Sequence, residues 1–412
     1  MASHSIEIQR TDLQNLIEGA CFLASGGGGP KDMANVFLEE FRGPVTMVAT
    51  ASMQAGDSSL MVVDLGSPAK AKQGFGLTAP VNAFDCLSAY LKTECGQTPS
   101  YLLPGEIGAV NTLLPFYIAD HIARHSTQKL LVLDADPCGR ADPRLNETLL
   151  DVANGISCCP AVIASDTLAG ATKTDAALQD KDYHYTEFTD PQLSPTELED
   201  KAREVVSQPG YNQVGGMALY PLEGKFVHRY GRQYLVQESV SLAMSVGKQL
   251  RQNPSDAQLS HALDNLAITN YCFVTGTISE DSVRNTDDGF DNGITIINGD
   301  DGDTYWVVMR NESLLAWNDT QGRFLAIAPD CINMLLHTDA GRESISNASI
   351  AAGQRITLWG TAGPAQVIQQ ATLVSRFTDD IKHVLDIPEF KAYKERMNFK
   401  EYIPIETLNN HD

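Results

Sequence analysis

With 412 residues, of which 43% are hydrophobic, 20% charged and 7% aromatic, the chain has an ordinary globular profile and is long enough for two or three domains. A formal charge of −22 and a pI near 4.7 argue against nucleic acid or an anionic membrane as partner, because an acidic field repels phosphate. No stretch reaches the ~18 apolar residues of a membrane span, and MASHSIEIQRTDLQNL lacks a cationic segment followed by a long apolar run, so a cytoplasmic protein is expected.

In chain order, Leu13, Leu16, Ile17, Ala20 and Leu23 recur at helical spacing over residues 11–24, behind a capping pair of Thr11 and Gln14. Ser25-Gly26-Gly27-Gly28-Gly29-Pro30 follows, then a helix carrying Met33, Val36, Phe37 and Phe41. Successive glycines before a helix leave backbone N–H groups open to an anion or polar ligand, which makes Gly26, Gly27, Gly28 and Gly29 binding candidates. A flexible turn is the alternative reading. The loop is neither a Walker loop nor a dinucleotide fingerprint. Val45–Thr50 and Leu60–Leu65 read as neighbouring strands joined by a polar turn, and residues 80–93 as a helix.

Next come LLPGEIGAVN, a helix over 112–125, and the β-prone run Lys129–Leu133 ending in Asp134-Ala135-Asp136-Pro137. Such a run suits a strand buried on both faces, and ligands in open α/β sheets bind beyond the carboxyl ends of strands. Asp134, Asp136 and Arg140 therefore fall where a site is expected, and Glu106, a carboxylate in an apolar segment, must be paired or working. Asn111 stands where it would cap the following helix. Residues 141–147 read as another helix start, Ala161–Ala164 as a buried strand, and Ser194-Pro195-Thr196-Glu197 as a capped helix start.

After Ile268 the texture changes to short β-prone runs (271–278, 294–297, 305–309, 324–327, 356–358, 371–374) separated by Asp-, Asn- and Gly-rich turns. Asn311-Glu312 and Pro329-Asp330 punctuate them, Glu312 being a further binding candidate, and Asp300–Asp303 reads as a hairpin tip. The basic, helical tail from Pro388 is expected to dock on the acidic body or on a second subunit. The predicted fold is α/β: a mostly parallel sheet with helices on both faces over residues 1–170, a helical and mixed connecting region over 171–268, an antiparallel β-rich domain over 269–385, and a tail over 386–412.

Eight cysteines show no C-x-x-C pair and nine histidines are scattered, with His121 and His125 the only close pair, so neither residue type specifies a metal or a disulfide scaffold.

Together SGGGGP, GEIGAVNTLLP, LDADPCGRADPRL, RNESLLAW and IAPDCINML resemble the family named after S-methyl thiohydantoin desulfurase, over roughly residues 13–388. Its genes often lie beside hydantoinase and oxoprolinase genes. Gly26 to Gly29 match its glycine loop, Glu106, Gly108 and Asn111 its second segment, and Asp134, Asp136, Gly139, Arg140 and Pro143 its third. Ser25, Ala109, Pro137 and Arg144 depart from the family's threonine, glycine, glycine and glutamate. The resemblance implies hydrolysis at C2 of a thiohydantoin-like ring with release of a thiol. In that scheme Asp134 or Asp136 acts as base, Glu106 holds a ring N–H, and Arg140 with the Gly26–Gly29 amides binds a carboxylate or ring oxygen. The carboxylates suit a divalent metal as an alternative, with the cofactor otherwise unknown, and Cys138 is an alternative nucleophile. An ATP-dependent oxoprolinase-related enzyme, or a non-catalytic partner subunit of a hydantoinase, are the rival readings. The expected partners are a small-molecule substrate and a second copy of the chain.

Overall fold

The computed structural model describes residues 5–66, 76–167, 182–211, 213–286 and 289–410. Its N-terminal strands are β1 (Ser5–Ile8), β2 (Val45–Val48), β3 (Ser58–Gly66), β4 (Tyr101–Pro104), β5 (Leu131–Leu133), β6 (Ala135–Asp136), β7 (Ala161–Ala164), β8 (Tyr185–Phe188), β9 (Val214–Glu223) and β10 (Val236–Gln237). Eight of them form one sheet in the order β1-β2-β5-β4-β3-β9-β7-β8, while β6 pairs with β10. The parallel part is β2-β5-β4-β3, and the flanking pairs are antiparallel.

Alternation along these strands divides the core. Leu60, Val62, Leu102 and Val132 face helices Arg10–Leu23, Ala79–Tyr90, Leu114–His125 and Ser239–Leu250. Met61, Leu103, Leu133 and Met217 face the other way, onto Leu198, Ala202 and Val206 of helix Pro195–Val206 and Val227 of helix Gly224–Tyr234. Helices thus cover both faces, as buried runs require.

Three local expectations change. β2 and β3 share the sheet but are separated by β5 and β4, because the chain crosses over rather than turning back. The helix expected from residue 141 is a single 3-10 turn, Leu145–Glu147. Residues 171–268, read as a connector, supply β8 and β9, so the first sheet is complete only after residue 223.

The C-terminal sheet is formed by β11 (Asn270–Ile278), β12 (Val283–Asn285), β13 (Asn292–Gly299), β14 (Thr304–Arg310), β15 (Glu312–Asn318), β16 (Arg323–Ile327), β17 (Cys331–Thr338), β18 (Gly341–Ser344) and β19 (Arg355–Thr361), all paired antiparallel. Asp300–Asp303 lies at the β13–β14 turn, as expected of a hairpin tip. Residues 371–374 belong not to a strand but to helix Ala371–Leu385. Leu373, Phe377, Ile381 and Val384 recur at steps of three or four and are buried, a period that the four-residue window could not reveal. The tail packs Phe390, Met397 and Phe399 against this domain, and the Ile405 amide donates to Asp330 Oδ2 at 2.8 Å. Among the described residues no helix is long and apolar enough to cross a membrane.

Candidate active site

β3, β4 and β5 run parallel, so their carboxyl ends lie along one edge of the sheet. Beyond that edge the loops after β4 and β6, the glycine loop, helix Pro195–Val206 and the β14–β15 turn enclose a cavity of ≈ 130 Å³. Its polar lining is rich in carboxylates, Asp64, Glu106, Asp142, Glu199 and Glu312, alongside Arg144, Arg203, Asn111, Asn311 and Thr148.

Glu106 leaves β4 through Gly105. Its Oε1 accepts from Asn111 Nδ2 at 2.6 Å and its Oε2 from the Asp142 amide at 3.0 Å. Burial, reinforced by nearby Asp136, outweighs these hydrogen bonds and raises its pKa from 4.5 to about 7. The Asn111 carbonyl oxygen accepts from the Asp64 amide at 3.0 Å, so Asn111 is a clamp between β3 and Glu106, not the helix cap expected from its position. Asp142 has both oxygens enclosed without a hydrogen bond. Its nearest countercharge is Arg140 Nε at 3.4 Å. Burial lifts its pKa to about 8 against the pull of Arg140, with Glu106 and Asp136 adding to the rise. Glu312 comes from the other domain, is buried, has Oε2 unpartnered, and is held well above the usual carboxylate range by burial and by Glu106. Asp64 is raised likewise by burial and Asp166, with both carboxylate oxygens enclosed and unpartnered. At neutral pH such a cluster retains protons, so acid and base coexist in one cavity.

The glycine loop shapes this cluster. A Cβ on Gly27 would overlap the Glu312 carboxylate, and one on Gly28 would collide with Gly108. Gly28 O accepts from the Val110 amide at 3.0 Å, Gly26 O from the Asn347 amide at 2.8 Å, and the Gly27 amide itself donates to Ala24 O at 3.1 Å. Ser25 Oγ donates to Ser313 O and accepts from the Ile332 amide, both at 2.9 Å. Gly28 and Gly29 line the cavity, while Gly26 and Gly27 bind the seam between the sheets.

Three residues that the sequence suggested for chemistry do not line the cavity. Asp134 Oδ1 accepts from the Ser241 amide at 2.9 Å and so caps helix Ser239–Leu250. Asp136 Oδ1 accepts from the Cys138 amide at 2.7 Å and the Gly139 amide at 2.5 Å, closing the turn that follows β6. Arg140 is fully buried: Nη1 donates to Pro329 O and Asp330 O, both at 3.0 Å, Nε donates to Ala141 O at 2.9 Å, and the guanidinium lies over Phe377 at 4.9 Å. It ties the third segment to the C-terminal domain. Position in the motif indicated importance, but only side-chain direction separates a support from a cavity wall.

Asp64 and Asp142 were not singled out. For Asp64 the signal was the one that marked Glu106, a carboxylate in a buried apolar run; Asp142 was hidden beside an arginine and a proline. Cys138 also lines the cavity, with its thiol pushed well above its usual range by burial and neighbouring carboxylates. Elsewhere, the His121 and His125 rings stack at 4.3 Å. Among the described residues no three His, Cys, Asp or Glu side chains form a group able to hold a metal ion.

The fold and the cavity define a two-part protein, α/β then antiparallel β, with a small carboxyl-lined site at the seam. Family models described as the N-terminal and C-terminal domains of S-Me-THD-like proteins match residues 11–172 and 194–374, so the chain belongs to the S-Me-THD-like family, whose name supports a thiohydantoin-related function. A crystal structure of a protein from Chromobacterium violaceum superposes with a TM-score of 0.75 at 22% identity, covering 98% of this chain and 100% of that one, which shows a shared fold. No curated protein matches the chain.

Proposed function

We propose that the protein is a hydrolase that attacks the C2 thioimidate of a five-membered thiohydantoin-type ring and releases a thiol. The observation that carries this reading is the set of enclosed carboxyl groups, Glu106, Asp142 and Glu312, lining one cavity with their proton affinities raised by burial, Glu106 to about 7 and Asp142 to about 8. The volume of ≈ 130 Å³ suits one small ring, since a cavity of about 150 Å³ holds benzene.

Glu106 is the proposed base. With an ordinary pKa it would be too weak; near 7 it takes a proton from water effectively at neutral pH. The water oxygen bonds to C2 as its proton passes to Glu106, and the C2=N electron pair moves to nitrogen, which takes a proton from Asp142. The tetrahedral carbon then re-forms a carbonyl as the C–S bond breaks. The leaving sulfur receives the proton held by Glu106, and the hydroxyl proton returns to Asp142. Glu312, whose proton affinity burial and Glu106 raise well above the usual carboxylate range, donates from its carboxyl to the ring oxygen or nitrogen on which charge develops.

This differs from the motif-based assignment in using Asp142 where Asp134 or Asp136 was expected. A nucleotide reading is not favoured, because the cavity is ring-sized and the space against Gly27 is filled by the Glu312 carboxylate rather than left for phosphate. The test is incubation of the purified chain with S-methyl thiohydantoins, with thiol release followed by a chromogenic disulfide and the hydantoin product by mass. Release of thiol is expected; its absence from every S-methyl thiohydantoin overturns the proposal.

A further inference from the structure

A second cleft, of ≈ 560 Å³, opens between the two domains. Glu106 and Cys138 line the carboxyl-rich cavity, whereas their chain neighbours Ile107 and Gly139 line this cleft, and the two spaces share no lining residue. The loops after β4 and β6 therefore form a partition between them. The remaining walls come from helix Ser239–Leu250, the end of β19, helix Ala365–Ile368 and the tail between Tyr402 and Glu406. The volume falls within the roughly 300–1,000 Å³ of small-molecule sites.

The walls are mainly aliphatic, with Leu23, Val236, Leu242, Ile268 and Ile368 among them. Among the described residues no Lys, Arg or His lines the cleft, and Glu406 is its one carboxylate. Glu406 is half-buried, and no hydrogen bond or ion pair within the described residues engages its carboxylate. Tyr402 lines the same space. Its hydroxyl donates to Asp330 Oδ2 at 3.1 Å, and burial together with Asp330 holds the phenol above its usual range, so its oxygen is left to accept. Asp330 itself is occupied by the Gly363 and Ile405 amides, each at 2.8 Å. The Cys331 thiol is pushed up to about 11 by burial and carries no charge at neutral pH. An apolar space whose only charge is an unengaged carboxylate disfavours an anion and complements an apolar body that carries a positive charge.

We propose that this cleft is a second ligand site, for a small aliphatic amine. The hydrocarbon part packs on the aliphatic walls, and the ammonium pairs with Glu406, with the Tyr402 oxygen as a further acceptor. The chain's formal charge of −22 favours the approach of a cation, while the joining of a free carboxylate to apolar walls selects this cleft. Its occupant packs against Ile107 and Gly139, on the loops that carry Glu106 and Asp142. The inference does not depend on the reaction assigned to the first cavity.

Cyclohexylmethylamine, cyclohexylmethanol and cyclohexanecarboxylate have nearly one shape and differ in charge, so calorimetry and ligand-observed NMR on the full chain at neutral pH read the preference directly. The amine is expected to bind about threefold to fivefold more tightly than the alcohol, and about tenfold or more above the carboxylate, as a partly solvated ion pair allows. In Glu406→Gln the amine and the carboxylate should bind within about twofold of each other. Ala365→Trp or Gln369→Trp, both at exposed lining positions, should fill the cleft and abolish amine binding, with circular dichroism and melting as controls for folding. Absent amine binding, equal binding of the carboxylate, or a preference that survives Glu406→Gln overturns the proposal. Amine binding that survives both tryptophan substitutions also overturns it, since the amine then sits elsewhere, as in the carboxyl-lined cavity. None of these readouts uses thiol release, so the hydrolase reading stands or falls separately.

Discussion

Replacing Glu106 by Gln removes the proposed base while keeping its shape, and the structure sets how stability should respond. In the fold its carboxyl titrates near 7 instead of 4.5. At about 1.4 kcal/mol per pH unit, ionising it in place disfavours the fold by about 3 kcal/mol. Because the folded pKa lies above the unfolded one, the stability associated with neutral Glu106 is fully present below about 4.5 and is lost as pH rises through about 7. Glutamine carries no such dependence. It does, however, offer one acceptor to two donors, Asn111 Nδ2 and the Asp142 amide. Asn111 cannot turn its amide round without releasing the Asp64 amide from its oxygen. One buried donor left unmet costs about 1–3 kcal/mol. At pH 8 the two effects oppose each other, and Glu106→Gln should be as stable as the wild type or slightly more so. At pH 5, where the wild-type group is neutral, the variant should be less stable by about 1–3 kcal/mol. Denaturant unfolding at the two pH values measures this. In parallel, kcat/KM for thiol release should fall about 10²- to 10⁴-fold, the range for loss of a general base. Wild-type kcat/KM should rise as pH passes about 7 and fall beyond about 8, with limbs that belong to the Glu106–Asp142 cluster. A variant that keeps activity within tenfold, or that is destabilised equally at both pH values, would refute the reasoning.

Arg140→Ala should act on stability, since the guanidinium clamps Pro329 and Asp330 from a fully buried position; a loss of about 3–5 kcal/mol is expected by denaturant titration. Asp134→Ala should cost only about 1 kcal/mol, the effect of a lost helix cap, while Asp134→Asn retains the cap and both variants keep thiol release. Gly27→Ala should displace the Glu312 carboxylate and abolish turnover while the chain remains folded, to be read from thiol release and circular dichroism together.

How far the sequence reached depended on the kind of information each residue carried. Periodicity in Leu13, Leu16, Ile17 and Ala20, the Ser194–Glu197 capping box and the short run at 161–164 are local signals that the helices and strand follow closely, although the first helix starts at Arg10 and is capped by Gln9 with Asp12, not by Thr11 with Gln14. The collection of Gly, carboxylate and amide groups at Gly26–Gly29, Glu106–Asn111 and Asp134–Pro143 drew attention to loops that each supply residues to one cavity, because polar groups at the ends of buried strands need a reason.

What needed the tertiary structure was direction and partnership. Asp134, Asp136 and Asp142 lie within nine residues, yet the first caps a helix, the second closes a turn and the third faces the cavity. Chain position cannot separate them, because a bend of one residue reverses where a side chain points. Glu312 comes near Glu106 only because β15 of one domain packs against a glycine loop of the other, a contact between Gly27 and Glu312 that spans more than half of the chain. The proton affinities arise from that same long-range burial. The amino-acid sequence by itself determined which loops are polar and which strands are buried; only the packing of the two sheets decided which carboxyls share one enclosed space and therefore hold their protons at neutral pH.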